Sequence, residues 1–175
     1  MGRLATTLGV TNSSQRANTI GRLPQRSASS QSQEREMSLK GGCHCGNVRY
    51  QVEGDPLTHA LCHCTDCRRH AGAPMVGWTM YPVTALTITS GTPKVYKSSK
   101  NGRRQFCAAC GTGLFYTNDE VLPGLVDIQS STYDDPEAVP AQVHIQVAER
   151  LSWMGHAHTL PEFSRYPNAP SAPPA

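Results

Sequence analysis

From Gly46 the chain alternates. "NVRYQV" sets Val48, Tyr50 and Val52 against Asn47, Arg49 and Gln51, the two-residue period of a strand with one buried face. "EGDP" predicts a turn, and "LTHALCHC" a second strand that runs into a cysteine-rich loop. "TDCRRHAG" has room for one helical turn before Gly72 and Pro74 stop it. Beyond lie "MVGWTMY", "ALTIT", "KVYK", "RRQFC", "GLFYT", "GLVDIQ" and "VHIQV", each four to seven residues long and rich in Val, Ile, Thr and aromatics. Turn signals such as "SGTP", "KNGR", "CGTG" and "LPG" separate them. Short strands at this spacing predict a mainly β fold. "DDPEAV" predicts one short helix, with Asp134 or Asp135 as N-cap and Pro136 at its first position.

The two ends depart from this pattern. Residues 1–33 hold no acid, four arginines, six serines and four threonines. That composition fits a disordered extension, with a mitochondrial targeting segment as the alternative. Residues 1–36 carry five arginines against Glu34 and Glu36, so the whole formal net charge of +3 lies there and the remainder is neutral. A neutral domain argues against nucleic-acid binding, which wants a basic excess. The expected organisation is an extension over residues 1–36, a domain over 37–167 and a Pro/Ala-rich tail over 168–175. No apolar run approaches the ~20 residues of a membrane helix, and the expected location is cytoplasmic, or mitochondrial if the extension is a targeting segment.

Seven cysteines change the picture most. They fall in three clusters: Cys43 and Cys45; Cys62, Cys64 and Cys67; Cys107 and Cys110. An odd count and such short spacings suit metal ligation better than disulfides, since neighbours at i and i+2 would close strained loops. "CAACG" is a zinc knuckle, with Gly111 free to take a positive φ. Cys43 and Cys45 are its natural partners, expected on one face of a strand, and together the four would fill a closed, structural zinc site. "CHCTDC" leaves three thiolates, a second zinc site whose fourth position is open or taken by a histidine such as His63.

At these motifs the chain resembles a known family. "GGCHCGNVRY", "CHCTDCRRHAGAP", "LTITSGTPKVY" and "RQFCAACGTGLFY" are similar, in order and spacing, to signatures of the glutathione-dependent formaldehyde-activating enzyme family, which includes centromere protein V. The resemblance runs from about Leu39 to Trp153. It implies a small zinc-centred fold of short antiparallel strands, similar to that of a small zinc-binding chaperone of Rab GTPases. It also implies two zincs per chain: Cys43, Cys45, Cys107 and Cys110 on a structural ion, and Cys62, Cys64 and Cys67 on a second ion near the substrate. The implied reaction is addition of the glutathione thiol to formaldehyde, classed in reverse as carbon–sulfur lyase chemistry. The partners would be a small thiol and an aldehyde, with no nucleic acid or membrane. A non-catalytic, zinc-stabilised protein-interaction module stands as the alternative.

Other residues have plainer expected roles. "KVYKSSKNGRR" puts Lys94, Lys97, Lys100, Arg103 and Arg104 in eleven residues without an acid. These read as a solvated hairpin, with carboxylate gripping as the functional alternative; Arg68 and Arg69, adjacent to Cys67, lie closer in sequence to the second metal set. Trp78 and Trp153 are expected as packing residues, His144 as a strand residue and Asp66 as a loop cap.

Overall fold

The computed structural model describes residues 37–167. The expectations for residues 1–36 and 168–175 lie outside the described residues. No helix among those described is long and apolar enough to cross a membrane.

Among the described residues, ten strands form two sheets. The smaller sheet pairs β1 (Ser38–Gly42), β2 (Arg49–Glu53) and β5 (Leu86–Ser90) in that order. Its register sets Leu39 opposite Val52 and Gly41 opposite Tyr50, so the alternation seen in "NVRYQV" becomes one buried face. The larger sheet takes in β3 (Thr58–Cys62), β4 (Val76–Pro82), β6 (Lys94–Lys97), β7 (Gly102–Phe106), β8 (Gly113–Asn118), β9 (Leu122–Gln129) and β10 (Val143–Ile145). Its order is β10-β3-β4-β9-β8-β7-β6. Among the described residues the one helix of α type, α1 (Thr65–Ala71), fills the "TDCRRHA" segment and ends at Gly72 in the left-handed region. "DDPEAV" gives a 3-10 turn, Pro136–Ala138, capped by the Asp135 side chain.

The expected strands are present, with two additions, but the turn expected at "LPG" lies inside β9, where Gly124 takes a φ of 72°. β1 was not foreseen, because "SLKGG" ends in two glycines, which are poor strand formers. β10 pairs with β3 in parallel, whereas the other pairings of the described strands are antiparallel. Trp153 is 53% exposed, in a 3-10 segment, and so is not a packing residue; Trp78 is buried as expected.

The main core sits where the two sheets meet. Tyr50 packs edge-on against Phe115 at 5.1 Å between ring centres and lies 6.0 Å from Tyr133. Val52, Tyr81, Leu114, Val126 and Ile128 complete it, together with Cys43 and Cys107. Two of the core tyrosine hydroxyls are partnered, Tyr50 with Thr132 at 2.7 Å and Tyr133 with Thr79 at 2.5 Å, whereas that of Tyr81 has no hydrogen-bond partner. A smaller cluster holds Cys62, Cys67, Val76 and Trp78, with Cys64 and Tyr116 against it.

Candidate metal centres

The cysteines gather into two sets. Cys43, Cys45, Cys107 and Cys110 form one, and Cys62, Cys64 and Cys67 the other; within each set all sulfurs lie within 4.8 Å of one another.

The four-cysteine set is built from two turns. Cys43 to Gly46 fold back just beyond β1, with the Gly46 N–H donating to the Cys43 carbonyl at 3.0 Å. Cys107 to Gly111 do the same after β7, with the Gly111 N–H donating to the Cys107 carbonyl at 2.9 Å. Gly46 and Gly111 both have φ of 78°, a left-handed conformation that a side chain disfavours, so each turn requires its glycine. The expectation that Cys43 and Cys45 sit on a strand is thereby corrected: the pair forms a second knuckle rather than one strand face. The turns are tied together where the His44 N–H donates to the Thr112 hydroxyl at 3.1 Å. The Val48 N–H points at the Cys43 sulfur at 3.2 Å, a donor that suits a thiolate.

Four thiols this close cannot all keep ordinary acidity. The Thr112 hydroxyl first, and then backbone donors, bring Cys110 down to about 5. Against the Asn47 N–H, which lowers it, Cys110 and burial push Cys45 up to about 12. A bound divalent cation resolves such a conflict by holding every sulfur as thiolate, and the donor set suits zinc in tetrahedral geometry.

The three-cysteine set is local. Cys62 ends β3, Cys64 is the N-cap of α1, and Cys67 lies in its first turn, with the Cys67 N–H donating to the Cys64 sulfur at 3.3 Å. Cys67 falls to about 5 through its hydrogen bond with Cys62, then against burial through Cys64 and Arg104. Cys62 is raised by the same contact with Cys67 and by burial.

His63 is not one of this set. It is buried, its Nε2 meets His144 Nδ1 at 2.9 Å, and its N–H donates to the Ile145 carbonyl across the β3–β10 pair. His144 is thus a strand residue as expected, and also the partner of a buried histidine. Arg68, beside Cys67, binds the His63 carbonyl, Thr65 and the Glu149 carbonyl. It braces the loop.

The sheet adds residues that spacing along the chain did not reveal. Cross-strand register places Tyr96, Arg104, Tyr116 and Asp127 in one row over four strands, so their side chains share a face. Arg104 reaches Cys67, with Nη2 3.7 Å from the sulfur, and its guanidinium lies 4.9 Å from the Tyr116 ring centre. Asp127 is pushed up to about 7, by burial first and then by the Cys67 charge. His70, on α1, is held below its ordinary value by burial and then by the Arg104 charge. It lines two adjoining clefts, one of about 480 Å3 with Lys94, Val95 and Phe106, and one of about 250 Å3 with Asp66, Arg69 and Arg104. Lys94, Lys97 and Lys100 are exposed, as a solvated hairpin requires, but Arg104 turns inward and corrects that expectation.

Comparison with known proteins decides the family. The sequence profile of the glutathione-dependent formaldehyde-activating enzymes matches residues 38–149, well over half of the chain. The chain belongs to this family. It is similar to a Halomonas elongata protein provisionally named as a glutathione-dependent formaldehyde-activating enzyme, 28% identical over 127 residues that cover 67% of this chain and 80% of that one. It is also similar to an uncharacterised lyase of Schizosaccharomyces pombe, 28% identical over 81 residues that cover 45% of this chain and 58% of the relative. A crystal structure of a Rhodobacter sphaeroides protein aligns with 60% of this chain and 98% of its own, at 20% identity and a TM-score of 0.49.

Proposed function

We propose that this family member is a zinc-dependent enzyme of carbon–sulfur lyase type, which adds a glutathione-like thiol to formaldehyde or a related aldehyde. Cys43, Cys45, Cys107 and Cys110 would hold a structural zinc. Cys62, Cys64 and Cys67 would hold a second zinc at the reacting centre. The observation that carries this reading is the contrast in ligand number beside a cleft. Four sulfurs satisfy a tetrahedral ion and three leave a position free, and the three-sulfur set has a buried arginine against one of its sulfurs, Arg104, that also lines a cleft.

Bound zinc supplies Lewis acidity, lowering the pKa of a thiol brought to it and polarising an aldehyde oxygen. The chain's own residues supply the surroundings. Arg104 balances the thiolate charge at Cys67 and shields that sulfur from water. Tyr116 and Trp78, 6.4 Å apart between ring centres, form the apolar floor beneath it. The reaction joins the thiol sulfur to the carbonyl carbon, and the thiol proton ends on the aldehyde oxygen. No oxidant or reductant is consumed. Names borne by the relatives agree with glutathione and formaldehyde as the reactants.

The test follows free thiol after mixing glutathione with formaldehyde. The protein is expected to accelerate S-hydroxymethylglutathione formation, and Cys62→Ser to abolish the acceleration. An equal rate with and without the protein would favour the interaction module instead.

A further inference from the structure

Arg104 differs from the rest of its hairpin. It is 6% exposed, and its Nη1 has no hydrogen-bond partner. Burying a guanidinium is unfavourable unless its donors and charge are met. The Cys67 sulfur and the Tyr116 ring meet part of that need, but no carboxylate does: among the described residues the ion pair is Arg49 with Asp134. Arg104 also lines the smaller cleft beside the three-cysteine set, with Arg69, His70, Ser98 and the acid Asp66. The larger cleft shares His70 and Tyr96 with it and adds Lys94. The two clefts therefore carry three permanent cations and one acid, and the most deeply buried cation is the one with a donor to spare.

We propose that Arg104, assisted by Arg69, anchors a carboxylate of the thiol substrate, so that the cleft selects anionic thiols over neutral ones. The proposal rests on the thiol–aldehyde reading for the kind of molecule bound. Guanidinium is suited to this role because its planar donors match a carboxylate and it keeps its charge when buried. One buried charge-assisted contact corresponds to roughly a tenfold to hundredfold preference.

The experiment titrates the full chain, purified with its metal, with S-methylglutathione and with its diethyl ester, and reads affinity by calorimetry. The methylated sulfur has no proton to lose, so binding reports the cleft rather than reaction at the metal. The acid is expected to bind at least about tenfold tighter than the ester. Arg104→Gln should erase that ratio, Arg104→Lys should retain part of it, and Arg69→Gln should reduce it by less. Equal affinities in the unaltered protein would overturn the proposal, as would a preference that survives Arg104→Gln. If Arg104 only balanced the Cys67 charge, Arg104→Gln would loosen the metal and leave the ratio unchanged. Should that variant not fold, the acid–ester comparison in the unaltered protein and in Arg69→Gln still decides. An acid preference without accelerated S-hydroxymethylglutathione formation would sink the reaction and spare the subsite. Acceleration that is equal for glutathione and its diethyl ester would do the reverse.

Discussion

Cys43 and Cys107 belong to the main core, packed with Tyr50, Leu114 and Phe115, whereas Cys62 and Cys67 sit in a small cluster with Val76 and Trp78. The four-cysteine set joins segments more than sixty residues apart in sequence and ties the end of β1 to the β7–β8 turn. The three-cysteine set spans Cys62 to Cys67 and closes no long loop. A cross-link between distant segments removes more freedom from the unfolded chain than a local one. A metal at the first set is therefore expected to act mainly on folding, and one at the second mainly on chemistry. Arg104 and the smaller cleft it lines lie beside the second set.

Substitutions at the two sets sharpen this contrast. Cys107→Ser removes a buried cysteine of the first set and, if that set holds zinc as proposed, should cost one zinc and most of the cooperative unfolding transition, a loss on the order of several kcal/mol. Metal analysis beside thermal unfolding by circular dichroism reads both. Phe115→Ala acts on the same core without touching a ligand. It should destabilise by about 3–5 kcal/mol in denaturant unfolding while both zincs stay bound. Cys64→Ser should remove only the second zinc and thiol binding and cost about 1 kcal/mol or less, because serine still caps α1 in place of the Cys64 side chain. Trp153→Ala, at an exposed position, should change stability by no more than about 0.5 kcal/mol. A Cys64→Ser protein as unstable as Cys107→Ser would break the division of labour.

Much of this arrangement was legible in the chain because its signals are local. Alternation predicted β2, turn residues marked off most of the strands, and cysteine spacing separated the two sets. What stayed hidden depends on pairing between distant strands. β10 could be predicted as a strand, but its parallel seat beside β3, which brings His144 to His63, is a tertiary fact. Arg104 looked like any other cation of a basic hairpin. Its burial follows from the register that sets it opposite Tyr116 and over Cys67, and no property of "NGRR" encodes that. Cys43 and Cys45 suited a strand by spacing, and the glycine at position 46, which turns the chain there, was the overlooked signal.

Native mass spectrometry of the full chain, purified without chelator and measured with and without glutathione, tests the contrast between the two sets most directly. Two zincs are expected in the free protein, together with one glutathione adduct. In Cys64→Ser a single zinc should remain and the adduct should be lost, with the fold intact. Two zincs that take up no glutathione, or an adduct that persists in Cys64→Ser, would contradict the assignment of the three-cysteine set to chemistry.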